Sequence, residues 1–119
     1  ERDAIADSDV TAFTMSDLDE RGIAAVVDDA LAAAGDGVDG LHVSLDLDFL
    51  DPVTAPGVGT PVRGGATYRE AHAAMEAVAE SGLLRSLELV EVNPILDQHN
   101  ETAELAAELA GSAFGKRIL

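Results

Sequence analysis

The chain contains no cysteine, which excludes a disulfide framework and any thiolate metal site; a metal would have to be held by oxygen or imidazole. Basic side chains are nearly as scarce. Seven stand against 23 acidic ones, Lys116 is the single lysine, and the formal net charge is -16. Phosphate backbones are recruited by basic patches, and no cluster exists beyond Lys116-Arg117, so ordinary nucleic-acid binding is excluded. No apolar run approaches the roughly 20 residues of a membrane span. The opening ERDAIADSDV lacks both the basic region and the apolar core of a signal peptide. The expectation is a soluble, cytoplasmic protein with neither a membrane nor a nucleic-acid partner.

The 119 residues amount to one domain or a piece of one, and a hydrophobic content of 47% can enclose a modest core. The acids are spread along helix-like segments rather than gathered in a tail, which describes a solvated surface. Such a surface repels itself at low salt and is screened at molar salt, where the Debye length falls to about 3 Å. A halophilic source explains this composition; an acidic mesophilic protein is the plainer alternative.

The central stretch is LHVSLDLDFLDPVTAPGVGTP, residues 41–61. His42 to Asp48 reads as one strand, whose period of two sends Asp46 and Asp48 to the same side. In the loop that follows, Asp51-Pro52, Pro56-Gly57, Gly59 and Pro61 fix or permit unusual backbone angles. Upstream, Val10 to Met15 predicts a short strand, and Ser16 a cap for a helix beginning at Asp17. That helix turns Ile23, Val26, Val27, Ala30, Leu31 and Ala34 inward, and Gly35, Gly37 and Gly40 close it.

Downstream, Thr67-Tyr68-Arg69-Glu70 is a capping box that opens a second helix, with Tyr68, Ala71, Met75 and Val78 inside and Gly82 as its stop. Leu87 to Val92 predicts a third strand that carries Leu87, Leu89 and Glu91 on one side and ends at Asn93-Pro94. A third helix runs from about Glu101 to Phe114, with Leu105, Leu109 and Ala113 inward. Strands alternating with helices this long predict crossover connections and a parallel α/β sheet. Three strands are few for a sheet covered on both faces, so the segment reads as the C-terminal portion of a larger domain.

In such sheets reactive groups gather beyond the carboxyl ends of strands, where Asp46, Asp48 and Glu91 all fall. Acids there need a cation or dense hydrogen bonding, and carboxylates without thiolates suit Mg, Ca or Mn. Spacing alone does not separate that reading from one in which Asp46 and Asp48 merely cap loop amides. Asp51, ahead of Pro52, reads as a turn or cap residue, and Glu88 as structural or solvated. His42, His72 and His99 all read as structural, His42 as a hydrogen-bonded core histidine.

SLDLDFLDP, then APGVGTP, GGATYREAHAAME, EVNPILDQHNETAELAAEL and GKRIL, resemble the C-terminal half of arginases, within the ureohydrolase family that includes agmatinases. The resemblance implies an α/β fold: the C-terminal part of a three-layer arginase-like fold with a mainly parallel sheet, residues 1–119 being part of a single domain. It implies hydrolysis of L-arginine to L-ornithine and urea with two Mn2+ ions per complete active site, in a homo-oligomer, trimer or hexamer. Asp46 and Asp48 match the last pair of metal-ligating aspartates. Glu91 matches the glutamate that pairs with the substrate guanidinium, and Thr60 a threonine lining the same pocket. A metal pair lowers the pKa of bound water, and a carboxylate accepts two parallel hydrogen bonds from a guanidinium fork.

The family's other ligands and its proton-shuttling histidine have no counterpart here, so the segment supplies only part of a site and no residue is assigned a catalytic role. Phe49 stands where glycine is common in the family, and its bulk is expected to narrow or rigidify the loop mouth. Strands supplied by the rest of the fold would lie between the first strand and the later two. The isolated segment is therefore expected to fold poorly, and a cooperative melt of a soluble monomer at low salt would contradict that. Agmatinase, or another guanidino-substrate ureohydrolase, is the nearest alternative. More remote are a phosphotransferase using the Asp-x-Asp pair, for whose expected Thr or Ser soon after the aspartates and later lysine Leu50 and Lys116 are poor matches, and a non-enzymatic acidic metal-binding module, which lacks a calcium-loop ligand run.

Overall fold

Apolar and β-branched residues alternating with polar ones make Leu41–Asp46 a strand, β1, and Leu84–Val90 a second, β2. In the computed structural model, which describes residues 2–118 apart from the Arg2 side chain, the two strands pair directly and in parallel. Leu45 lies beside Leu89 and Asp46 beside Val90. Ahead of β1 come helices α1 (Arg2–Ala6), α2 (Met15–Arg21) and α3 (Ile23–Gly35). Helix α4 (Tyr68–Ser81) makes the crossover to β2, and α5 (Glu101–Ala113) follows it. None of the described helices is long and apolar enough to cross a membrane.

Helix α4 lies between α3 and α5, and both α4 and α5 pack on β2. The core forms there from Leu45, Leu47, Leu50, Met75, Leu105 and Leu109, with Leu47 and Leu109 wholly removed from solvent. Burial of each such leucine stabilises the fold by roughly 1.5–3 kcal/mol. The expected helix ends are present on α4. The Glu70 carboxylate accepts the Thr67 N–H at 2.8 Å, the Thr67 hydroxyl accepts the Glu70 N–H at 3.3 Å, and Gly82 terminates the helix at φ 67°.

Several expectations fail for identifiable reasons. Residues 10–14 have strand-forming composition but no neighbouring strand among the described residues, so no ladder forms. Thr14, not Ser16, caps the helix that follows, with the Asp17 carboxylate accepting the Thr14 N–H at 2.6 Å and its hydroxyl at 2.7 Å. Gly22, at φ 79°, divides the single expected helix into α2 and α3. Ala34 is exposed rather than inward. Tyr68 sits at the rim, its hydroxyl donating to Glu108 at 3.0 Å. His42 is exposed as well. It lies on the bare face of a sheet covered on the other, where Nδ1 is 2.8 Å from Ser86 Oγ and Nε2 is 3.6 Å from Glu88.

His72 is the buried histidine, held between α4 and α5 with Nδ1 2.8 Å from Ser112 Oγ. Its Nε2 has no hydrogen-bond partner among the described residues. Burial lowers its pKa from the ordinary 6.5, against the opposing pull of Glu108 and Glu76. The folded form therefore takes up a proton less readily than the unfolded chain. Stability is at its full value above pH 6.5 and is lost as pH falls through that point towards the folded pKa. Melts of the protein between about pH 7.5 and pH 5 should show this loss, and His72→Gln should flatten it; parallel slopes for the two would remove His72 as the cause.

Candidate functional site

Strand β1 ends at Asp46 because Leu47–Phe49 closes a single 3-10 turn. Asp46 caps that turn, its Oδ1 accepting the Asp48 N–H at 3.0 Å. The turn, not a shared strand face, brings Asp48 beside Asp46, which corrects the strand expected to run to Asp48. Capping occupies one oxygen of Asp46, and Oδ2 has no donor among the described residues. Both aspartates are half-buried.

The loop that follows is folded back onto these acids. Asp51 accepts the Val53 N–H at 2.9 Å and the Gly64 N–H at 2.8 Å, as expected of a turn residue. Those bonds, with a smaller pull from Arg63, hold its carboxyl below the usual range. The Ala66 N–H donates to Phe49 and the Asp51 N–H to Ala66, each at 2.9 Å, so both ends of the loop meet beside Asp48. Between them Thr60 is presented to Asp48, its hydroxyl donating to Oδ2 at 2.9 Å. Phe49 borders an open cleft of about 280 Å3 together with Asp48, Val62 and Arg63.

Glu91 also leaves its expected place. Strand β2 stops at Val90, and Glu91 adopts φ 62°, a left-handed conformation uncommon outside glycine that costs of order 1 kcal/mol or more. Val92 then pairs antiparallel with Val58. In consequence the Glu91 carboxylate lies over Gly59, with Oε2 3.4 Å from where a Cβ on that glycine would sit. Since Asp46 pairs with Val90, the residue before Glu91, the carboxyl ends of both strands bring Asp46, Asp48, Thr60 and Glu91 to one edge of the sheet.

No ion pair among the described residues engages Asp46, Asp48 or Glu91. Free oxygens on two half-buried aspartates without a cationic partner fit a hard divalent ion. They fall short of a whole site: among the described residues no three His, Cys, Asp or Glu side chains are grouped to hold one. His99 stands in the exposed loop ahead of α5.

Sequence reasoning missed Asp97 and Thr102. Asp97 Oδ1 accepts the N–H groups of Gln98 and Thr102 at 2.9 and 3.0 Å, and Oδ2 that of Ala103 at 3.1 Å. Partial burial pushes its carboxyl up, but the N–H and hydroxyl of Thr102 and the Ala103 N–H outweigh it and hold the pKa below the ordinary value. Thr102 is buried and its hydroxyl accepts the Gly57 N–H at 2.8 Å. An acid just ahead of a helix was the available signal. Left-handed His99 and Asn100 lengthen the approach, so the cap lies further upstream than usual.

The profile of the arginase family matches residues 1–115. The chain belongs to the arginase family. It is 49% identical over 119 residues to the arginase of Bacillus caldovelox, covering all of this chain and 40% of that one. The crystal structure of Bacillus subtilis arginase superposes with a TM-score of 0.95 at 49% identity, covering 100% of this chain and 44% of the other. Formimidoylglutamase from Bacillus subtilis superposes at a TM-score of 0.89 with 28% identity, over 95% of this chain and 35% of that one. The α/β arrangement with its parallel sheet is thus a part of the arginase fold, and the chain spans about two fifths of the length of the curated relatives it matches.

Proposed function

We propose that the full-length protein containing this segment hydrolyses L-arginine to L-ornithine and urea. The observation that carries this reading is the convergence of Asp46, Asp48, Thr60 and Glu91 at the carboxyl ends of two parallel strands, in a chain 49% identical to arginases. Mn2+, homo-oligomeric assembly as a trimer or hexamer and a cytoplasmic setting attach to the full-length protein in the same proposal.

Asp46, through Oδ2, and Asp48, through Oδ1, would hold the metal, because the cap and Thr60 already use their other oxygens. When bound, a pair of divalent ions lowers the pKa of water and stabilises the negative charge that develops on substrate. The Thr60 hydroxyl fixes the rotation of Asp48 and leaves its oxygen lone pairs for a substrate N–H. Glu91 accepts two parallel N–H bonds from the guanidinium and orients its plane towards the aspartates. Its left-handed backbone holds the carboxylate in place before substrate arrives. The remaining ligands, and cover for the bare sheet face that carries His42 and Glu88, fall to the rest of the protein.

Fold alone does not choose the substrate, since a formimidoylglutamase shares it. The deciding experiment supplies the full-length protein and Mn2+ with L-arginine and agmatine in parallel. Urea and ornithine should appear in equal amounts from arginine, with agmatine turned over far more slowly. Urea without ornithine, or a preference for agmatine, would overturn the assignment.

A further inference from the structure

Neither Thr60 nor Glu91 lies in a strand, so something other than the sheet must fix their separation. Gly57 stands where their two segments cross. Its N–H donates to the buried Thr102 hydroxyl at 2.8 Å, and its carbonyl accepts the Asn93 N–H at 2.7 Å. The first bond ties the Thr60 loop to α5, and the second ties it to the residues just after Glu91. Asp97 closes the circuit from beneath. It grips the first turn of α5 through Thr102 and Ala103 and packs so closely on Gly57 that a Cβ there would come 2.5 Å from its own Cβ and Cγ. The Asn93 carbonyl in turn accepts the N–H of Asp97 at 3.1 Å, and Val58 pairs with Val92.

We infer that Gly57, Asp97 and Thr102 form a latch that positions Thr60 and Glu91 on substrate, an inference that rests on the arginase-type reading of those two residues. The latch residues touch no substrate themselves; they are positioning residues. Glu91 meets the guanidinium both before and during reaction, so a displaced Glu91 weakens binding without slowing the chemical step to the same degree. Thr102→Val removes the acceptor for the buried Gly57 N–H, whereas Thr102→Ser keeps it.

In the full-length enzyme, Thr102→Val should raise KM for L-arginine about tenfold while kcat changes less than about twofold and bound manganese is unchanged. Thr102→Ser should restore KM. A Thr102→Val enzyme with the wild-type KM, or a serine variant as impaired as the valine one, overturns the latch. Amide hydrogen exchange gives a readout independent of substrate, with the amides of α4 as the reference for how well the variant folds. The Gly57 and Asn93 amides should exchange slowly in the wild type and at least about tenfold faster in Thr102→Val, and fast exchange in the wild type overturns the latch outright. Should the wild type act on a different guanidino compound, the arginine reading fails by itself. The KM ratio is then measured on that compound, and the exchange rates still decide the latch.

Discussion

Asp48→Asn in the full-length protein is expected to lower urea release from L-arginine at least about 100-fold, because losing even an outer partner of a metal ligand typically costs 10–100-fold. The substitution removes a charge and little else. An asparagine carbonyl still accepts the Thr60 hydroxyl, and the Asp48 N–H that Asp46 caps is untouched, so the 3-10 turn has no reason to open. Steady-state rates in excess Mn2+, taken beside a thermal melt, separate chemistry from folding. Near-wild-type activity in a protein that melts normally would remove Asp48 from the site.

Gly65→Ala is expected to destabilise the protein by about 3 kcal/mol, the upper part of the range for overpacking a filled site. A Cβ on Gly65 would come within 2.5 Å of the Leu50 carbonyl carbon and 2.6 Å of the Asp51 nitrogen and Phe49 oxygen. These are backbone atoms and cannot rotate aside. Relief would have to break the paired bonds between Ala66 and residues 49 and 51, and with them the placement of Asp48. The neighbouring Gly64 is the control. It sits at φ 84° with open space where its Cβ would go, so Gly64→Ala incurs only the left-handed penalty of roughly 1–2 kcal/mol. Denaturant unfolding of the two variants should show the larger loss at Gly65, and equal losses would show that the backbone wall gives way.

Local chemistry made much of this architecture legible in the sequence. The Thr67–Glu70 capping box and the Gly82 stop lie within single turns of chain, and α4 begins and ends where they indicate. Period and spacing likewise identified Ala71, Met75 and Val78 of α4, though not the rim position of Tyr68, together with the inward face of α5 and the parallel pairing. What escaped depended on contacts distant in sequence. Residues 10–14 needed a neighbouring strand, and His42 needed a covered sheet face; neither requirement is written in the local pattern. Their place at strand ends singled out Asp46, Asp48 and Glu91, and the resemblance added Thr60; the fold brings the four to one end of the sheet. Strand alternation placed Asp48 and Glu91 wrongly, because a 3-10 turn and a left-handed residue end the strands at Asp46 and Val90. Asp97 and Thr102 were missed since their partner, Gly57, is 45 residues from Thr102 along the chain.

The most direct test is a count of tightly bound manganese in the full-length protein and in its Asp46→Asn, Asp48→Asn double variant, both dialysed against metal-free buffer. Assignment of these aspartates to a paired-metal site predicts about two ions per wild-type chain and a marked loss in a folded double variant. Equal manganese in the two proteins would contradict it.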